Sequence, residues 1–305
     1  MTEAYAAEWI DFEKDLGYRP VLDGDIGTIL KQWESLGKDL VSKFPMKGFD
    51  TSVQRDDRIV TQSGNRVRIY TSPSVKNSNL CIYIHGGGWA MGDIDSEDAQ
   101  CVEFCKRSKM IVVSIEYRLS PEHKFPIPLD DCVELYDWAV AHASTFDCLA
   151  ERIVLAGGSA GANLALAVAL RLIDEGHHRS PDGLFLAVPV TVDPRLIPKE
   201  LEGRHTSYVD NADTGPNSPG GMIGFAGEIT SIACKDTLRD DGRLLVEKLR
   251  EGGLSSNENP RRVQVNAKEY AGLPHYFWTW PGSSLKDVSE QFHKDSHAAM
   301  TWLLS

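Results

Sequence analysis

The sequence lacks the features that mark several large classes of protein. Lys and Arg do not cluster among aromatic residues, and the net charge is −12, which argues against nucleic acid or an anionic membrane as a partner. No stretch is long and apolar enough to span a bilayer, and residues 1–15 do not resemble a signal peptide. We therefore expect a cytoplasmic protein whose partner is an uncharged or cationic small molecule.

Cysteine is scarce and follows no binding pattern. The six cysteines are scattered through apolar segments without a Cys-x-x-Cys pair, so we expect neither a metal site nor a disulfide scaffold, but reduced core residues. No repeat of solenoid period occurs, and Gly and Pro are not enriched enough for disorder. A chain of 305 residues with 42% hydrophobic content predicts one large α/β domain.

Short apolar runs alternate with amphipathic segments from residue 80 onward. This alternation predicts a mostly parallel central sheet with helices on both faces. Residues 52–72 alternate as in an antiparallel edge hairpin. Pro121, Pro126 and Pro128 are expected to exclude regular structure after the second central strand.

The first 47 residues carry two amphipathic helical patterns separated by a break at Gly17–Gly27. Because these helices precede the first strand, they are available to cap the carboxyl edge of the sheet. A simple packed extension is an equally good interpretation. We therefore divide the chain into N-terminal cap helices at 1–47 and a catalytic domain at 48–305.

The run Ile153–Leu164 starts as an apolar, β-branched strand, breaks at Gly157–Gly161 and continues as a helix. This pattern is typical of a nucleophile elbow, in which a strand ends in a strained turn and a serine projects its hydroxyl above the sheet. Glycines on either side let strand and helix pack closely. Ser159 is therefore the candidate nucleophile, although a lone Gly-x-Ser-x-Gly also arises by chance.

A second signal is the run His85–Trp89, which directly follows an apolar strand and contains Gly86, Gly87 and Gly88. Three consecutive glycines cost conformational entropy, and that cost is tolerated where backbone amides must approach a ligand closely, as in an oxyanion site. A phosphate cradle is the competing use, but the Gly-Lys-Ser/Thr ending of a P-loop is absent from the sequence. We expect the histidine to fix this loop through hydrogen bonds.

A serine nucleophile needs a base to take its proton and an acidic side chain to orient that base. On folds with an elbow they follow the serine in the order Asp or Glu, then His, each after a strand. His275 follows the β-like run Val263–Tyr270 and is the preferred base, because the other histidines precede the elbow or lie in polar or helical stretches.

The preferred acid is Asp236, because it directly follows the strand predicted at Glu228–Cys234 and elbow chemistry lies at the carboxyl ends of strands. It could instead cap the helix that follows. Glu228, Asp240 and Asp241 compete for the acid role.

Five segments together resemble the hormone-sensitive lipase-like family of carboxylesterases in the α/β-hydrolase superfamily, and the similarity covers most of the chain. They are His85–Trp89, Tyr117–Glu122, Gly157–Gly161, Asp236–Asp240 and Leu273–His275. The Gly-Tyr-Arg-Pro at 17–20 is similar to fungal members that act in secondary metabolism.

The resemblance implies an α/β-hydrolase fold with a catalytic triad and an oxyanion hole. The implied catalytic residues are Ser159, Asp236 and His275, the implied oxyanion donors are Gly87, Gly88 and Ala160, and the implied supporting positions are His85, Gly86, Gly158 and Gly161. It implies no metal ion and no organic cofactor.

The function implied is that of a serine carboxylesterase on small, mostly apolar esters, acting as a monomer or as a homodimer through the edge strand near Val263. A non-hydrolytic homologue (a lyase, cyclase or ligand-binding protein) and an amidase with the same triad stay open as alternatives. The chain departs from the family after Val190, where a helix-bearing insertion is shortened at about 191–227.

Overall fold

A computed structural model of the chain describes residues 4–46, 48, 50–191, 199, 231–233 (backbone only), 238–250 and 264–305. The helices are α1 (Ala7–Leu16), α2 (Ile26–Lys43), α3 (Asp98–Arg107), α4 (Ile127–His142), α5 (Ala160–Asp174), α6 (Arg239–Arg250) and α7 (Lys286–Leu303). The strands are β1 (Gln54–Ile59), β2 (Arg66–Thr71), β3 (Ser78–Ile84), β4 (Ile111–Ile115), β5 (Cys148–Gly158), β6 (Gly183–Ala187), β7 (Ser231–Ala233) and β8 (Lys268–Tyr270).

The strands form one sheet in the order β1-β2-β4-β3-β5-β6-β7-β8. β1 pairs with β2 and β2 with β4 in antiparallel fashion, and every other neighbouring pair is parallel. The crossover from β3 to β4 runs in the opposite direction to the crossovers from β4 to β5 and from β5 to β6. Because such crossovers are right-handed, α3 lies on one face of the sheet and α4 and α5 on the other. The expected α/β fold and its edge hairpin are confirmed.

The register of the central strands brings their carboxyl ends to one edge. Ile84, the last residue of β3, pairs with Gly157 of β5, and Gly157 pairs with Leu186 of β6. β3, β4 and β6 are buried over almost their whole length, which explains why they read as continuous apolar runs. The loops after β3, β5 and β6 consequently meet above the same edge.

One expectation from proline is wrong. Helix α4 begins at Ile127 and contains Pro128 in its first turn, whereas we expected Pro128 to exclude regular structure. The first-turn N–H groups of a helix have no partner within the helix, so proline removes no hydrogen bond there and its fixed φ suits the helix. Helix α4 therefore starts earlier than its apolar pattern indicates.

The five cysteines in the described part of the chain are buried free thiols, as the sequence predicts. Cys234 lies outside the described residues. Among the described helices, none is long and apolar enough to cross a bilayer.

The N-terminal helices lie against the loop that follows β8. Trp9 and Phe12 of α1 both contact the ring of Trp280 edge-on, and Phe12 stacks on Phe44 at the end of α2. The N–H of Ala6 donates to the carbonyl oxygen of Gly272 over 2.8 Å. The division at residue 47 stays a prediction, and the shortened segment at about 191–227 lies outside the described residues apart from Thr191 and Lys199.

Gly161 lies where the elbow meets β3, and its replacement should destabilise the fold. A Cβ added there would lie 2.1 Å from the carbonyl oxygen of Ile84 and 2.5 Å from that of His85, and backbone cannot yield as a side chain can. We expect Gly161→Ala to lower the free energy of unfolding by about 1–3 kcal/mol, measured by urea denaturation.

The matched control is Gly37→Ala in α2, where an added Cβ meets nothing within 4 Å. Alanine is the better helix former, so this variant should be as stable as the wild type or more stable by up to about 1 kcal/mol. Equal losses of stability in the two variants would contradict the close approach at the elbow.

Candidate active site

Ser159 occupies the turn between β5 and α5. Its φ of 51° and ψ of −119° lie in a region that non-glycine residues rarely adopt. Two hydrogen bonds hold the turn: the N–H of Ser159 donates to Ala187 over 2.8 Å, and the N–H of Asn163 donates to the carbonyl oxygen of Ser159 over 3.0 Å. The side chain of Asn163 also donates to Val190 over 3.0 Å, tying α5 to the chain that follows β6. The serine is therefore held in a strained conformation from both sides.

The glycines around Ser159 are required by close packing. A Cβ on Gly157 would lie 2.5 Å from the carbonyl carbon of Gly161. Strand and helix can approach this closely only because neither residue has a side chain. The structure thus has the strand, turn and helix that the elbow pattern predicts.

His275 is brought to Ser159 by the loop after β8. Its Nε2 lies 3.0 Å from the Oγ of Ser159, within hydrogen-bond distance, although the two residues are 116 positions apart in sequence. The indole N–H of Trp280 donates to the carbonyl oxygen of His275 over 3.4 Å. A hydroxyl next to an imidazole can lose its proton to that ring, which is the arrangement that activates a serine nucleophile.

Asp236, the predicted acid, and its competitor Glu228 lie outside the described residues. The two other competitors are buried near the start of α6. Asp240 forms a two-pronged ion pair with Arg239 at 2.8 and 2.9 Å. Asp241 accepts the backbone N–H of Thr191 over 2.8 Å, which joins α6 to the chain that follows β6. Both carboxylates thus have structural partners.

The glycine-rich loop after β3 turns through left-handed backbone. Gly87 and Gly88 have φ values of 115° and 59°, which glycine adopts at little cost. Within the described residues, their N–H groups donate to no protein acceptor. The N–H of Ala160 begins α5, where a helix leaves its first amides without internal partners. The role of these three amides as oxyanion donors stays a prediction.

His85 contacts this loop through a hydrogen bond and packs on a neighbouring aromatic ring. Its Nδ1 bonds the carbonyl oxygen of Gly86 at 2.8 Å, and its ring stacks on Tyr117 with centroids 4.4 Å apart. The hydroxyl of Tyr117 donates to the carbonyl oxygen of His85 over 3.1 Å. Burial lowers the pKa of His85, which favours the neutral ring. These contacts tie His85 to the loop, and its supporting role stays a prediction.

Sequence reasoning missed Glu97, a buried residue at the N-terminus of α3. It bonds the N–H of Gly86 and the hydroxyl of Tyr276, the residue after His275. An acidic residue before a helix is ordinarily an exposed cap, so no local pattern marks this one as buried. Only the tertiary contact identifies it.

A family model described as the α/β-hydrolase fold matches residues 81–279. The chain belongs to the α/β-hydrolase family. The match covers the glycine-rich loop, the elbow and His275. It confirms the resemblance that the sequence segments indicated.

Two fungal proteins extend the similarity. The chain is 31% identical over 329 residues to versiconal hemiacetal acetate esterase of Aspergillus parasiticus, with 99% of this chain and 100% of that protein aligned. It is 35% identical over 291 residues to the FAD-linked oxidoreductase PytB of Aspergillus terreus; 87% of this chain aligns, but it spans only 34% of that protein's length.

Among solved structures, vibralactone cyclase superposes with a TM-score of 0.79 at 23% identity, covering 99% of this chain and 95% of that one. This likeness shows the α/β-hydrolase fold. The esterase relatives support a carboxylic ester hydrolase at the level of the family.

Proposed function

We propose that the protein is a serine carboxylesterase that hydrolyses small, mostly apolar esters through an acyl-enzyme on Ser159. The observation that carries the proposal is the 3.0 Å contact between Oγ of Ser159 and Nε2 of His275. A nucleophile and a base within hydrogen-bond distance at a strained elbow are the core of acyl-transfer chemistry. The relatives named as esterases support the same reaction class.

In the first half of the reaction, Nε2 of His275 takes the proton of Ser159 while Oγ attacks the ester carbonyl carbon. The carbonyl π electrons move onto oxygen, and the N–H groups of Gly87, Gly88 and Ala160 stabilise the resulting oxyanion. When the intermediate collapses, the bond to the alkoxide oxygen breaks and His275 returns its proton to the leaving alcohol. The acyl group stays on Ser159.

In the second half, His275 takes a proton from water, and the hydroxide attacks the acyl carbon. Collapse of the second tetrahedral intermediate releases the carboxylic acid, and Ser159 recovers its proton from His275. Asp236 is the acid we propose to orient the imidazole and balance its charge. The net charge of −12 favours uncharged or cationic esters over anionic ones.

Turnover of p-nitrophenyl esters of increasing acyl length tests this proposal, with the p-nitroanilide of the best acyl group assayed beside them. We expect the short esters to be hydrolysed and the anilide to react far more slowly. An anilide rate equal to the ester rate would indicate an amidase. No turnover of any ester by the folded protein would contradict the proposal and favour a non-hydrolytic homologue.

A further inference from the structure

A buried carboxylate joins the loops that hold the candidate catalytic groups. Glu97 is only 7% exposed. One of its oxygens accepts the N–H of Gly86 at 2.6 Å and the hydroxyl of Tyr276 at 2.9 Å. The other accepts the hydroxyl of Tyr83 from β3. Three donors from β3, the glycine-rich loop and the loop of His275 thus converge on one side chain.

The hydroxyl of Tyr276 occupies space that two glycines leave open. A Cβ on Gly86 would lie 2.3 Å from this oxygen, and a Cβ on Gly158 would lie 2.0 Å from it. The hydroxyl therefore sits between the glycine-rich loop and the elbow strand, while its own backbone continues directly from His275. Tyr276 also has a φ of 58°, a strained conformation for a bulky residue that the surrounding contacts must maintain.

A carboxylate at Glu97 can accept from all three donors. The pKa of Glu97 is raised, because the effect of burial outweighs the hydrogen bonds from Tyr83, Gly86 and Tyr276 that act to lower it.

Three buried titratable groups also interact electrostatically with Glu97. They are Tyr83 on β3, Cys101 on α3 and Tyr117 after β4, and burial raises the pKa of each well above its ordinary value, so each is neutral.

We propose that Glu97 is a positioning residue for the reaction: through Tyr276 it fixes the loop of His275 against the glycine-rich loop, so that the base faces Ser159. This role rests on the proposed esterase function. It places Tyr276 next to the base for its hydroxyl rather than for packing alone.

Glu97→Gln tests the contacts of the carboxylate, because glutamine keeps its shape but replaces one of the two acceptor oxygens by an amide nitrogen that only donates. The three donors are then left with one acceptor oxygen, so the loop of His275 is held less firmly. We expect kcat to fall by about 3- to 10-fold with little change in KM. A folded variant with the wild-type kcat would overturn the positioning role.

Tyr276→Phe tests the positioning, because it keeps the ring and removes one hydrogen bond to Glu97. We expect kcat to fall about 10-fold with little change in KM. The matched control is Tyr270→Phe on β8, which removes a tyrosine–carboxylate bond of the same 2.9 Å length, to Asp295. It should leave kcat within about twofold of the wild type, because Asp295 lies on α7, which carries none of the candidate catalytic residues. Equal kcat in the two variants would overturn the positioning role, even if Glu97→Gln does not fold.

The nitrogen signals of ¹⁵N-labelled histidine separate this inference from the proposed function. The His275 signal is assigned by its loss in His275→Asn and can be followed in folded protein without turnover. A displaced or broadened His275 signal in Tyr276→Phe, but not in Tyr270→Phe, supports the positioning role even if no ester is hydrolysed, in which case only the esterase proposal fails. An unchanged His275 signal in active Tyr276→Phe overturns the role of Glu97 alone.

Discussion

Replacing Ser159 with alanine is expected to lower kcat/KM for a short p-nitrophenyl ester by a factor of about 10⁴ to 10⁶. The Oγ of Ser159, 3.0 Å from Nε2 of His275, is the atom that we propose to form the acyl bond, and alanine has no atom to replace it. The control is Ser296→Ala on α7, which removes another buried serine hydroxyl that donates to Phe292 over 2.8 Å. Its catalytic constants should match those of the wild type.

The double variant Ser159→Ala, His275→Ala tests whether the two residues act as a unit. The base has no role once its proton donor is absent, so the second substitution should reduce the residual rate little further. Two full, multiplicative losses would show that the residues act independently, contrary to the proposed mechanism.

Gly87→Ala should produce the second largest loss of activity. The φ of Gly87 is 115°, and an added Cβ would lie 2.2 Å from the carbonyl oxygen of Met91, so the loop must change conformation and its amides must move. Misplacing one donor of an oxyanion hole costs about 10²- to 10³-fold in kcat. We expect a loss of this size with KM nearly unchanged, measured by steady-state kinetics on the best ester.

Gly88→Ala is the control that replaces a glycine of the same loop without creating a steric clash. Gly88 also has a positive φ, of 59°, but an added Cβ there meets nothing within 4 Å. Alanine can adopt this left-handed conformation at a cost of about 1–2 kcal/mol, so kcat should fall by less than about 10-fold. A larger loss in Gly88→Ala than in Gly87→Ala would contradict the loop geometry described above.

The central part of the fold follows from local sequence patterns. Continuous apolar runs such as Ile111–Ile115 are buried parallel strands, because helices cover both faces of the sheet and leave no polar side. The elbow is equally local, since glycines and a strained serine within five residues determine its shape. Each of these patterns lies within one segment of the sequence, so it can be recognised without knowledge of the rest of the fold.

Contacts between distant segments are less accessible to sequence reasoning. Glu97 and Tyr276 are 179 positions apart, and neither has a periodicity that indicates the other. The sequence likewise does not predict the position of α1 against Trp280, because an amphipathic pattern shows that a face is buried but not what covers it. The prediction that Pro128 excludes regular structure is wrong because the rule against proline in helices does not apply to the first turn.

For the candidate site, order along the chain carries most of the information. The sequence favours His275 because it follows a strand after the elbow, and the structure brings it to Ser159. Its assignment as the base, and those of Asp236 and the three oxyanion donors, stay predictions. Strand order locates the residues at one edge of the sheet, and kinetic measurements on variants identify which of them take part in catalysis.

Labelling with a fluorophosphonate, followed by peptide mass spectrometry, tests the central claim most directly. The reagent bonds to an activated serine Oγ with loss of fluoride, and thus reports the nucleophile without assuming a substrate. We predict one phosphonate on the peptide that contains Ser159, formed faster in the wild type than in His275→Ala. An unlabelled Ser159 in folded protein that still hydrolyses esters would contradict the account.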